Sequence, residues 1–203
     1  MWDGIWNSGI DHHSSKPEVI KDLVGAHDLT LAYGGYMGMA IEEDYFAPNN
    51  IYGGRVYNTE IEDLVYAIEN GEATIEICVY VNGYSGGCNM FYVNDNCRIY
   101  SSDNINLRWM FFTSGVTSVS SATIENGSTS TISIRYRGGN AIFRDGEFRM
   151  SFNGGERQVT TGIEFGKSSA GLWKYHSIRI YNRALTNEEI ELNHLIDRER
   201  FGF

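Results

Sequence analysis

Apolar side chains recur at every second position in short runs along most of this chain, the period of a strand with one face buried. The longest run is Glu72 to Val81, where Ile75, Ile77, Val79 and Val81 share one face and Glu76, Cys78 and Tyr80 the other. It predicts a central strand. Shorter runs predict strands at Trp2 to Ile10, Leu29 to Tyr33, Met37 to Ile41, Met90 to Val93, Arg98 to Tyr100 and Leu107 to Thr113. Ile132, Ile134 and Tyr136 alternate with Ser133, Arg135 and Arg137, and Gly138-Gly139 turns the chain into Ala141 to Arg144. Asp145-Gly146 then suits a two-residue type I′ turn before Glu147 to Phe152 returns. Ile163 to Gly166 leads to a last strand, His176 to Tyr181, with Ile178 and Ile180 on one side and Ser177, Arg179 and Tyr181 on the other. Pro17 to Val24 predicts one turn of helix, and the Ser/Thr-rich Thr113 to Thr131, which keeps Val116, Val119 and Ile124, predicts strand and loop.

The C-terminal stretch changes period. Thr186 precedes a helical run with Glu189 three residues on, so each side chain can bond the other's backbone amide in a capping box. Leu185 and Ile190 stand where a hydrophobic staple would join, and Leu195 and Ile196 extend an apolar stripe expected to pin the helix to the body of the domain. Glu188 and Glu189 suit the positive end of the helix, Arg198 and Arg200 the negative end, and Gly202 the stop.

About twelve short strands and one terminal helix, with no repeat and no linker, predict one all-β domain spanning 1–203, a two-sheet antiparallel jelly-roll sandwich with a short C-terminal α-helix. The strand HSIRIYNRAL followed by TNEEIELNHLIDRERFG resembles the end of the bacterial and phage branch of the concanavalin A-like, laminin-G-like domains. Trp2-Asp3-Gly4-Ile5, Gly9, His12, His13 and Lys21-Asp22-Leu23-Val24-Gly25 resemble how such domains open. The resemblance implies the jelly roll, but that superfamily hosts lectins, glycosidases, adhesion modules and spacers, so function has to come from a site. Its laminin-G-like members often bind calcium through loop carboxylates and carbonyls; carried over here, that points to Asp95 and Asp103 as metal ligands, with Ca²⁺ a possible cofactor.

Composition narrows the partners. The formal charge of −10 repels phosphate backbones and anionic membranes, which argues against nucleic acid. No apolar run reaches about 18 residues and no charged-then-apolar leader opens the chain, so neither membrane insertion nor a signal peptide is expected. Gly 23 against Pro 2 suits tight turns. Cys78, Cys88 and Cys97 form no CxxC zinc pattern and no disulfide framework, although Cys88 and Cys97 would bridge a hairpin in an exported domain.

Catalytic patterns are missing. Glucanases of the superfamily carry alternating Glu, Asp, Glu on one strand, and retaining hydrolysis needs two carboxyls about 5 Å apart. Glu60-Ile61-Glu62-Asp63 is the nearest approach; Glu76 has only Cys78 and Tyr80 beside it on its face. Gly83-Tyr84-Ser85-Gly86-Gly87 is not a nucleophile elbow, His176 reads as a packed residue, and the adjacent His12 and His13 would point to opposite faces of a strand. No enzyme is predicted. Aromatic faces that stack on a pyranose, beside amides and carboxylates that bond its hydroxyls, make a sugar site. Tyr84, Asn89, Tyr92, Asn94, Asp95 and Asn96, with Trp109 on a following strand, are the richest supply. The expectation is a non-catalytic, carbohydrate-binding adhesion module on a secreted bacterial or phage virion protein, extracellular, cell-surface or virion-exposed, with a glycan or cell-surface polysaccharide as partner. The alternatives are a structural or assembly module of a virion or larger surface protein that binds other protein subunits and, third, a diverged glycosidase.

Overall fold

The structure, a computed structural model, describes residues 1–3, 19–20, 22–24, 28–32, 40–41, 44–47, 55–58, 72–81, 89–94, 97–101, 107–111, 117–118, 124–137, 139–152, 163–167 and 173–203. In chain order the strands are β1 (Trp2–Asp3), β2 (Val19–Ile20), β3 (Leu29–Ala32), β4 (Ala40–Ile41), β5 (Phe46–Ala47), β6 (Arg55–Asn58), β7 (Ala73–Val81) and β8 (Asn89–Asn94). They continue as β9 (Cys97–Ser101), β10 (Leu107–Phe111), β11 (Thr117–Ser118), β12 (Ser128–Tyr136), β13 (Ala141–Arg144), β14 (Glu147–Ser151), β15 (Ile163–Lys167) and β16 (Trp173–Tyr181), and helix α1 (Asn187–Phe201) follows.

These strands form two sheets. The first runs β14-β13-β12-β7-β16-β5-β4, with β1 also pairing β16, and the second runs β11-β10-β9-β8-β15-β6-β3-β2. Every pairing is antiparallel. The all-β sandwich with a C-terminal helix is therefore the architecture. Ile75, Ile77, Val79 and Val81 of β7 lie inward as their alternation predicts, and pack with Ile132, Ile134 and Ile178 against Phe91, Ile99, Ile163 and Phe165 of the second sheet. Each such side chain, fully withdrawn from water, contributes about 1.5–3 kcal/mol. The Tyr175 hydroxyl ties the sheets together by donating to the Met90 carbonyl at 2.7 Å.

Two local readings need revision and a third, the alternation of Ser177 and Arg179 against Ile178, is extended. Val19–Ile20 is no helical turn but an edge strand paired with Leu29 and Thr30, where β-branched residues gain a ladder partner. β12 begins at Ser128, because Ser128 to Ser130 continue the ladder against Val81 to Val79. In β16 a bulge at His176 resets the alternation, so that Tyr175 and Ile178 both face the core, while Ser177 and Arg179 face away from it.

The turn at Asp145-Gly146 forms as expected, with φ of 55° and 77°. It touches α1 so closely that a Cβ on Gly146 would lie 3.2 Å from the Glu191 Cα. The capping box is present too: the Glu189 amide donates to the Thr186 hydroxyl at 3.2 Å, and the Thr186 amide to the Glu189 carboxylate at 2.8 Å. Arg183 also grips Glu189 through two hydrogen bonds. These bonds, Arg183 first, hold the Glu189 carboxyl down at about 2.

Candidate functional site

The outer faces of the two sheets are the places where polar groups gather, and they differ. On the first sheet, α1 lies against β12 and β14 and reaches β7 and β16 through the Asn193 and Asp197 side chains. Arg179 makes a two-pronged contact with Asp197, one bond being 2.8 Å, and stands 3.9 Å from Glu76. Glu76 accepts from the Ser133 hydroxyl at 3.1 Å and from the Asn193 amide at 2.8 Å. Glu76, Arg179 and Asp197 are all buried. Glu76 therefore has more neighbours than its own strand suggested, and they arrive from β12, β16 and the helix.

Burial dominates the electrostatics here. It raises the Glu76 carboxyl to about 7 despite the nearby Arg179 charge, and pushes the Tyr181 hydroxyl up to about 12. For Arg179 burial works against the charge, but hydrogen bonding to Asp197 outweighs it and the guanidinium stays protonated. Burial also raises the Cys78 thiol and lowers His176 and His194. His176 is indeed a packed residue: its Nδ1 donates to the Asp44 carbonyl at 3.0 Å and its ring lies 4.9 Å from Phe201. A near-neutral carboxyl would suit proton transfer, yet this one is enclosed by a sheet and a helix, so its chemistry is that of an anchor.

The same cluster explains the helix's orientation. Leu195 and Ile196 do not pin α1 to the body of the domain; they are exposed, and the buried positions are Ile190, His194 and Asp197. A sheet face carrying Arg179 and Glu76 requires polar partners, and an unpaired buried charge costs several kcal/mol. The helix accordingly turns Asp197 and Asn193 inward.

The second sheet's outer face has no such roof among the described residues. Phe91 and Ile99 point to the core, so their neighbours Tyr92, Arg98 and Tyr100 point outward, joined by Glu164 between the buried Ile163 and Phe165. Tyr92, Arg98, Tyr100 and Glu164 are half-buried, and the ladder sets Tyr92 opposite both Arg98 and Glu164. Arg98 lies 4.5 Å from the centre of the Tyr100 ring. Asn89 stands opposite Tyr100; its side-chain oxygen is buried and accepts no hydrogen bond. Aromatic faces, an amide, a guanidinium and a carboxylate thus share one surface.

Of the residues expected to bind ligand, Asn89 and Tyr92 belong to this face. Asn94 is in β8 opposite Cys97, and Trp109 is in β10, where the ladder pairs it with Ile99 and Thr117. Tyr84, Asp95, Asn96 and Asp103 lie outside the described residues, as do His12, His13, Ser85, Cys88 and the acids from Glu60 to Asp63. Arg98, Tyr100 and Glu164 were missed, although the alternation around Ile99 and between Ile163 and Phe165 was enough to turn them outward. Among the described residues no group of three His, Cys, Asp or Glu is placed to hold a metal ion. A polar hollow of about 440 Å³ between Glu125, Ser128, Ser130, Arg144 and Asp145 is a further concavity, but Asp145 is committed there to the Thr131 amide at 3.1 Å and to Arg144 at 3.4 Å.

Comparison with known proteins bears on the fold. No protein-family model and no characterised protein sequence matches the chain. Solved structures do. A sialidase of Trypanosoma rangeli superposes with a TM-score of 0.69 at 14% identity, over 92% of this chain and 32% of the sialidase. The receptor-binding domain of a botulinum neurotoxin C/D mosaic superposes at 0.66 with 13% identity, over 87% of this chain and 48% of the toxin domain. The binding domain of botulinum neurotoxin DC, solved with rat synaptotagmin II, gives 0.67 at 13% identity and the same coverage. The chain thus spans about a third to a half of these neighbours, and at such identity the likeness is one of fold, a β-sandwich.

Proposed function

We propose that this domain is a non-catalytic recognition module of the laminin-G-like type that binds carbohydrate outside the cell, on the outward face of its second sheet. The observation that carries the reading is Tyr92, Arg98, Tyr100 and Glu164, half-buried beside the buried Asn89, on one sheet face that no helix covers among the described residues. A pyranose presents a C–H face to tyrosine rings and hydroxyls to amide, guanidinium and carboxylate groups, and this surface offers both kinds of contact. Fold neighbours give support in kind: one botulinum neurotoxin type C domain, superposing at 0.65, is described as depending on two ganglioside molecules for cell entry. The non-catalytic part of the reading rests on the missing Glu, Asp, Glu alternation. Tyr84, Asp95 and Asn96 flank β8 in sequence and would extend the site, with Asp95 and Asp103 the carboxylates for calcium.

A glycan array probed with and without calcium tests this. The wild-type chain should bind a restricted set of glycans and Tyr100→Ala should bind them about tenfold more weakly. Absence of binding at about millimolar glycan, where even weak single-site recognition is visible, would overturn the proposal.

A further inference from the structure

Helix α1 carries two faces. Ile190, His194 and Asp197 are buried against the first sheet. On the opposite side Leu192, Leu195 and Ile196 are 56%, 48% and 39% exposed. At 3.6 residues per turn these three adjoin one another in a single outward stripe, and a contiguous aliphatic stripe, unlike a lone exposed leucine, marks a contact surface.

The charges beside the stripe say what fits it. The first turn is acidic and the last turn basic. Glu191 and Arg198 lie along one border of the stripe, Glu189 and Arg200 along the other, so both borders run from acid to base in the same direction. We propose that this face binds the same face of a second copy of the chain, the two helices lying antiparallel about a two-fold axis. That axis sets each border against its own counterpart in reversed direction. The register that brings Glu191 opposite Arg198 of the second copy also brings Glu189 opposite Arg200 of the second copy, because both pairs share a midpoint between positions 194 and 195. The apolar stripe is centred at the same point.

A parallel pairing would set acid on acid and base on base, whereas the antiparallel one also aligns the helix dipoles favourably. Glu191 and Arg198 form the stronger border. Glu189 is shared with Arg183 and Thr186, whereas Arg198 uses only its Nε, on the Phe203 carbonyl at 3.3 Å. Glu188 and Glu199 continue the stripe at its ends and bring like charges near one another across the axis. They and the small contact, below the roughly 1,200 Å² of a stable interface, keep the association weak. The surface lies on the opposite side of the sandwich from Tyr92 and Tyr100, so this inference stands independently of the glycan reading and leaves that face open.

Sedimentation of the full chain from ~10 µM to ~1 mM reads the association. The wild type should pass from monomer to dimer and Leu195→Lys should stay monomeric. Glu191→Arg and Arg198→Glu should each lower the association constant by about tenfold, since each change acts twice. The double variant Glu191→Arg, Arg198→Glu should return to within about threefold of wild type, because it exchanges the members of the pair. Helical circular dichroism checks that each variant is folded. A wild type monomeric throughout, or a dimer insensitive to the single reversals or not restored by the double one, would overturn the proposal.

Discussion

Two sheet faces in this molecule start from the same strand pattern and come to opposite ends. On β7 and β16 the outward positions Glu76, Ser177 and Arg179 are buried beneath α1, bonded to Ser133, Asn193 and Asp197. On β8, β9 and β15 the outward positions Tyr92, Arg98, Tyr100 and Glu164 remain half-exposed. Each set contains an arginine, a glutamate and hydroxyl groups; the difference is the helix. Beneath the helix the polar groups bond one another and become part of the scaffold, whereas no helix covers the other face among the described residues. Two-residue alternation tells which side chains leave the core. It does not tell whether they then meet water.

The largest effect should come from removing one partner of the roofed cluster. Asp197→Ala leaves Arg179 buried without its carboxylate and should cost about 3–5 kcal/mol in urea unfolding, whereas Arg98→Ala on the open face should cost within about 1 kcal/mol. Equal losses would erase the distinction between the faces.

The next effect is a pH dependence confined to the roofed face. Glu76 titrates near 7 when folded and near 4.5 otherwise, so between those values the folded state holds the extra proton. Its contribution to stability is complete below about 4.5 and lost as pH rises through about 7, a fall of roughly 3 kcal/mol. His176 and His194, whose pKa values are lowered by burial, act in the opposite sense, gaining stability as pH rises. The readout is therefore the difference between wild type and Glu76→Gln in urea midpoints at pH 5 and pH 8. Gln should be relatively more stabilising at pH 8, and a constant difference would show that the carboxylate is not withheld from water.

Smaller still, Tyr100→Ala should weaken binding to the best array glycan by about tenfold while changing unfolding free energy by no more than about 1 kcal/mol. Thr186→Ala, which removes one half of the capping box at an exposed helix end, should cost about 1 kcal/mol by urea unfolding and leave glycan binding unchanged.

Much of the architecture was legible because it rests on local signals. The apolar run of β7, the Asp145-Gly146 turn and the Thr186 capping box each declare themselves within a few residues, and each takes the form expected. The orientation of α1 could not be read that way: Leu195 and Ile196 look like core residues until Arg179 and Glu76, well separated in the chain, are seen to require Asp197 and Asn193. The bulge at His176 was hidden for a similar reason, since it is a matter of ladder register between β16 and β7. Within the candidate site, Asn89 and Tyr92 were read from composition, whereas Arg98, Tyr100 and Glu164 join them only when β8, β9 and β15 are set side by side.

The central claim is that ligand meets the open face and not the roofed one. Backbone amide shifts followed by NMR while the best array glycan is added test it most directly. The account predicts shifts at positions 89–92, 98–100 and 163–165, with positions 177–179 and 190–197 unmoved; shifts confined to the helix and its sheet face would contradict it.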